Sequence, residues 1–385
     1  MFNNVKNLFS EIFYSIKNIN FKDKIKNVKD NIDEVKYKVN NLFETNLNNG
    51  LTHYHDGHYQ DALLRFKVMN YMWKNNATVQ YNLGRAYFGL KKKEKAKECF
   101  EKALNLQPTE EEKIFIQFFL KKIDDIENIV FVPEDLKKET YNWVINSFIN
   151  DHEIHQKEIK KVFDLYNRYI GSIVVSNGEE NVSLLELGCF TGYHGSLIRS
   201  EFKKIKLDGV DISEKMANRC KELKVKIVDN QEIQVYDNVF QKEMHLFLNE
   251  NIVSFLNENS EKKTELEKQI EQDLEYENLK NSDLFKGKLY DMIFSFGSFA
   301  DFGELSVVIK LAEMNLNESG VLIFIVPKSL NGGIQFSIYQ DYFLYSKEYV
   351  ENILKETKLQ VVDFIEYNRY NDDDFNMMFI LRRGA

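Results

Sequence analysis

Residues 184–195 read "LLELGCFTGYHG": an apolar run that stops at three glycines, Gly188, Gly192 and Gly195, with one acid, Glu186, inside it. A strand that runs into closely spaced glycines and then a helix makes a sharp turn where a ligand can approach bare main chain. An acid at the end of the next strand can hold the two hydroxyls of a ribose. Asp211, in "LDGVDIS", follows Gly188 by 23 residues, near the roughly 20 that a βαβ unit requires. To this point a nicotinamide-dependent oxidoreductase fits as well as any nucleotide-binding protein. Glu186 weighs against it, because a pyrophosphate rests on the helix N-terminus, where a nearby carboxylate repels it. A positively charged ligand without phosphate suits that acid.

Downstream, strand-like and helix-like runs alternate: "KLDGVDIS", a helix near 213–222, "NVFQKEM", a charged stretch, "YDMIFSF", a helix near 304–315 and "GVLIFIVP". This alternation predicts an α/β fold, a doubly wound, mostly parallel sheet with helices on both faces. The end of the chain, "LQVVDFIEYNRYNDDDFNMMFILRR", reads as a hairpin that adds an antiparallel strand. The 48 residues from Glu243 to Asp291 are about twice what one crossover helix with short loops needs, so an insertion is expected near 245–288. Within it Leu266, Ile270 and Leu274 share one helical face, as a solvated helix with a narrow seam or a lid over a cleft.

In this order, "ELGCFTGYHG", "VDISEKM", "VYDNVFQKEM", "YDMIFSF" and "SGVLIFIVP" resemble the motifs of class I S-adenosylmethionine-dependent methyltransferases over about 200 residues. The resemblance implies S-adenosyl-L-methionine as cofactor. It implies that Gly188 and Gly192 lie under the methionine part and that Glu186 orients it. Asp211 would hold the ribose, Ile212 would pack on the adenine and Glu243 would meet the adenine edge. Two positions depart from the pattern: Phe190 stands where the family usually has a glycine, and Gly297 where many relatives have an acid or polar residue beside the transferable methyl. Asp301 and Ser298, just beyond Gly297, are the candidate catalytic residues, with Tyr193 and His194 of the glycine loop behind them.

The N-terminal part matches itself at a spacing of 34 residues: Gly50 with Gly84, Ala62 with Ala96, Phe66 with Phe100. Small residues at that period let two antiparallel helices approach closely. The second copy, "ATVQYNLGRAYFGLKKKEKAKECFEKALNLQPTE", resembles the tetratricopeptide repeat. The first copy is weaker, with Asn49, His53 and Met69 where the second has Leu83, Tyr87 and Ala103. The expected organisation is N-terminal helices at 1–42, a repeat domain at 43–129, connecting helices at 130–181 and a methyltransferase domain at 182–385. A stripe of Val28, Ile32, Val35, Val39 and Leu42 serves as a flanking helix or as a short coiled coil with another subunit. Residues 111–128 have the period of a helix capping the repeats.

Lysine and arginine number 51 against 60 acids, a net charge of −9, which opposes a polyanionic partner, so no nucleic acid is expected. Cys99, Cys189 and Cys220 have no CxxC spacing, as expected of reduced thiols. No apolar run approaches the roughly 18 residues of a membrane span, and no signal peptide stands out, so a cytoplasmic setting is expected. His53, His55 and His58 of "HYHDGH" lack the i, i+4 spacing of a helical zinc site, and no metal is expected. The leading function is methyl transfer to an acceptor that the sequence does not name, with the repeats holding a protein or peptide substrate. The competing one is a repeat-based binding protein whose methyltransferase fold has lost its chemistry. The oligomeric state is not legible.

Overall fold

The computed structural model describes residues 24–154, 156–227, 231–258, 288–368 and 375–384. They fall into two compact units, Met1–Gln107 and Pro108–Ala385. The expected seam of Leu266, Ile270 and Leu274 and the "NDDD" turn lie outside the described residues.

Among the described residues unit 1 is helical: α1 (Lys24–His55), α2 (Tyr59–Met72), α3 (Ala77–Gly89) and α4 (Lys93–Leu104). The stripe at 28–42 and the first repeat helix run on as a single helix, α1. The two copies reproduce one packing device. A Cβ on Gly50 would stand 2.4 Å from Phe66 Cε1, and one on Gly84 would stand 2.5 Å from Phe100 Cε1, so each helix pair closes on a glycine facing a phenylalanine ring. Ala62, Phe66, Met69, Val79, Leu83 and Ala86 fill the core between the pairs.

Unit 2 begins with α5 (Glu110–Asp124), whose start is fixed by a capping box between Thr109 and Glu112. This is the helix expected to cap the repeats. Its Phe118 meets Phe336 edge-on and its Lys122 pairs with Asp341, both on the small hairpin of β8 (Ile334–Ser337) and β9 (Tyr342–Tyr345). Helices α6 (Glu134–Ile154) and α7 (Gln156–Asn177) precede the sheet. Then follow β1 (Ser183–Leu187), α8 (Tyr193–Glu201), β2 (Lys206–Asp211), α9 (Glu214–Glu222), the short β3 (Lys224–Lys226) and β4 (Glu232–Gln234), β5 (Asn238–Gln241), α10 (Met244–Glu258), β6 (Tyr290–Phe296), α11 (Leu305–Met314), β7 (Leu316–Pro327), α12 (Lys347–Leu354), β10 (Leu359–Asn368) and β11 (Phe375–Arg383).

The seven-stranded sheet has the order β10-β11-β7-β6-β1-β2-β5. β5, β2, β1, β6 and β7 are parallel, and β11 enters antiparallel between β7 and β10. The expected doubly wound sheet with an N-terminal all-α repeat region is the fold observed. Leu184, Met292, Phe294, Ile323 and Ile380 pack with Phe163, Tyr166 and Ile170 of α7 in one core on the sheet face. The winding reverses between β1 and β6, so their carboxyl ends part there, and such a crevice is where open α/β sheets bind ligands. No helix among the described residues is long and apolar enough to cross a membrane.

Candidate functional site

At that crevice the turn after β1 is built as its glycines require. Gly188 has φ +75° and Gly192 φ +78°, both in the left-handed region. The amides of Gly188 and Cys189 donate to the Val210 carbonyl at 2.8 and 3.0 Å, which ties the turn to the end of β2. A Cβ on Gly188 would stand 1.7 Å from Ser298 Oγ, so this glycine makes room for the chain leaving β6. Gly192 and Gly195 make room inward: added Cβ atoms would meet Leu223 at 2.4 Å and the Tyr236 hydroxyl at 2.3 Å.

Tyr236 explains the acid inside β1. Its buried hydroxyl donates to Glu186 Oε2 at 2.6 Å. Burial raises the Glu186 carboxyl to about 8, the Tyr236 hydrogen bond opposing the rise and Asp211 adding to it. Asp211 accepts from the amides of Phe190 and Ser213, each at 2.8 Å, so one carboxylate joins the glycine turn to the start of α9. Burial raises it to about 7 against those two bonds.

Gly188, Phe190, Asp211, Ile212, Glu243, Ser298 and Asp301 line one pocket, together with Tyr141 of α6. Six of the eight residues singled out from the sequence therefore converge. Glu186 and Gly192 do not line it; they lie behind it, under Tyr236 and Leu223. Phe190 has φ +46°, and its ring faces into the pocket, meeting Tyr141 edge-on at 5.8 Å. These two rings narrow the pocket, whose empty space is about 290 Å³ with its opening to solvent included. Gly297 (φ +113°) ends β6 without a side chain, and the next turn brings Ser298 and Asp301 to the wall. Ser298 Oγ is buried with no hydrogen-bond partner among the described residues. His194 instead turns away to the α7 side, its Nδ1 2.9 Å from the Tyr166 hydroxyl.

What the sequence reading missed is the contribution of α6. Lys137 Nζ donates to Glu243 Oε1 at 2.5 Å, a pair almost wholly out of water. The Tyr141 hydroxyl lies 2.9 Å from both oxygens of Asp301, and Asn142 Oδ1 accepts from the Ser213 hydroxyl at 2.7 Å. Burial raises Asp301 to about 6, with Lys137 and Tyr141 opposing. These partners are separated by 71 to 160 residues, and "KKETYNW" carries no local signal of them. Four buried carboxylates thus stand at or behind one cleft, with one buried ammonium among them. Ionised, these carboxylates suit a cationic ligand carrying hydroxyls and repel phosphate, while Lys242 brings a cation to the same pocket wall.

Doubly wound sheet, glycine turn and preceding repeats define the class that the sequence resembles, a class I S-adenosylmethionine-dependent methyltransferase fold with N-terminal tetratricopeptide-repeat helices. Residues 77–110 match the family model of the tetratricopeptide repeat. Among solved structures, the chain is similar to magnesium protoporphyrin IX methyltransferase from Synechocystis with bound S-adenosylmethionine, at 12% identity, over 67% of this chain and 100% of that one, with a TM-score of 0.41. It is also similar to a putative S-adenosylmethionine-dependent methyltransferase from Listeria monocytogenes (15% identity, 54% and 93% coverage, TM-score 0.34) and to one from Methanosarcina mazei (12%, 55% and 97%, 0.36). No curated protein matches the sequence.

Proposed function

We propose that this protein transfers a methyl group from S-adenosylmethionine to an acceptor held at the cleft between β1 and β6, in the cytoplasm, with the repeats capturing a protein or peptide substrate. The observation that carries the reading is the acid-rich pocket itself, where Asp211, Glu243 and Asp301 meet the bare backbone of Gly188. When bound, the cofactor supplies a methyl already activated by its sulfonium. The chain then has to align the acceptor and, where needed, take its proton. Glu243 and Asp211 orient hydroxyl and amine groups, with Ile212 as an apolar wall. The unpartnered Ser298 hydroxyl offers a donor beside Gly188. Asp301, steadied by Tyr141, is the carboxylate on this wall able to accept a proton near neutrality.

One observation favours the competing reading of a binding protein with a silent site: the Phe190 and Tyr141 rings both line the pocket and meet edge-on within it. Calorimetric titration with S-adenosylmethionine, S-adenosylhomocysteine and NAD separates the readings. Binding of the first two and not of NAD supports the transferase. Binding of none supports the scaffold, and binding of NAD alone overturns both.

A further inference from the structure

The structure assigns a second site, in unit 1: a divalent transition-metal site made by His53, His58 and Asp61. His53 lies in the last turn of α1, His58 caps α2, and Asp61 sits in the first turn of α2. The turn between them is closed by Gly57 at φ +76°, and the His58 amide donates to the His53 carbonyl at 2.8 Å. One ring nitrogen from each histidine and an Asp61 oxygen lie within 4.8 Å of one another, all accessible to water. The His58 ring makes no cap bond to its own helix, which leaves its nitrogens for another partner.

The internal repeat provides the comparison. Adding 34 residues turns the triad into Tyr87, Lys92 and Lys95. The second turn has the same backbone: Lys92 N–H donates to the Tyr87 carbonyl at 2.9 Å, as His58 does to His53. It also brings two of the three side chains together, with Lys95 Nζ 5.9 Å from the Tyr87 ring centre. The repeat thus packs these positions side by side whatever they carry, and packing does not call for metal ligands. Only the first copy has three of them, and it is the copy that lacks Leu83, Tyr87 and Ala103 equivalents. Two imidazoles and a carboxylate, with water as fourth ligand, suit Zn²⁺ over Mg²⁺ or Ca²⁺. Tetrahedral donors at about 2.0–2.2 Å from the ion stand about 3.4 Å apart. His58 and Asp61 are exposed and His53 half-buried, so the remaining difference falls to side-chain rotation. Binding staples the end of α1 to the start of α2 and stabilises the weaker repeat by mass action.

The test uses the full chain after treatment with chelator. Zn²⁺ is titrated by calorimetry, and Co²⁺ is added to read tetrahedral coordination from its visible absorption. One equivalent of Zn²⁺ should bind and raise the melting temperature. His53→Ala and His58→Ala should each weaken binding by at least about tenfold, and Asp61→Asn by less. His55→Ala is the control, since that ring packs toward Arg85 and Tyr54; it should bind as wild type does. Circular dichroism verifies that each variant folds. Absence of binding up to about 1 mM Zn²⁺, binding that survives His53→Ala with His58→Ala, or equal loss in His55→Ala would each overturn the assignment.

Discussion

Asp211 spends both carboxylate oxygens on backbone amides, those of Phe190 and Ser213. With the ribose hydroxyls as the proposed further partners of those oxygens, Asp211→Ala should weaken S-adenosylhomocysteine binding by roughly 1.5–3 kcal/mol, the usual loss for hydrogen bonds to a charged group. Calorimetry reads the loss, and unchanged affinity would mean that the ribose is held elsewhere. The raised carboxyls also set a pH dependence. A buried acid with a raised pKa keeps its proton in the folded chain where the unfolded chain has lost it, so stability falls as pH rises from about 4 to the folded values of about 7 and 8 for Asp211 and Glu186. Glu186→Gln should flatten that fall in thermal melts taken between pH 5 and 8.5. For a cationic ligand the sign reverses. S-adenosylmethionine should bind more tightly as the acids ionise through about 6 to 8, while neutral-sulfur S-adenosylhomocysteine changes less. A constant affinity ratio across that range would remove the acids from cofactor selection. Asp211 was legible from its distance to Gly188. Phe190 was legible as a departure, but where its ring points depended on Tyr141, 49 residues earlier.

Among elements, α6 is the one whose importance no local pattern announces. Its Lys137 is the buried cation on Glu243, and truncating one partner of such a pair leaves the other charge stranded. Lys137→Met should cost about 3–5 kcal/mol in urea melts, and Glu243→Gln in the same chain should recover much of it. Full stability in Lys137→Met alone would show that the pair is open to water. The repeat helices give the contrasting case, where the sequence says nearly everything. Gly84→Ala places a methyl against the Phe100 ring, which cannot yield without repacking, and should cost about 1–3 kcal/mol. Phe100→Leu added to it should restore part of the loss, and the same series on Gly50 and Phe66 should behave alike. A 34-residue period of glycine and phenylalanine states this contact in the sequence because both partners lie within one repeat.

For the whole molecule the division falls at Gln107 and Pro108, so a fragment of residues 108–385 keeps α5 with the hairpin that its Phe118 and Lys122 touch. It should fold and bind S-adenosylmethionine within about threefold of the full chain, because a unit with its own core folds alone. Its turnover of the native acceptor should show a raised Michaelis constant, since remote contacts contribute to orientation at the site. An unchanged Michaelis constant would assign the repeats to another partner. By itself the sequence determined the alternation of the main sheet's strands with helices, the glycine turn, the second acid and the repeat, but not the small hairpins β3–β4 and β8–β9. Each of these is written in periodicity or short spacing, where neighbours in the chain are neighbours in space. The tertiary structure decided which way the glycines face, what Glu186 bonds to, that α6 supplies Lys137 and Tyr141 to the cleft, and that α5 meets the hairpin of β8 and β9. These depend on contacts between segments 31 to 219 residues apart, and a pairing over such a distance leaves no periodic trace because only the closed sheet brings the partners together.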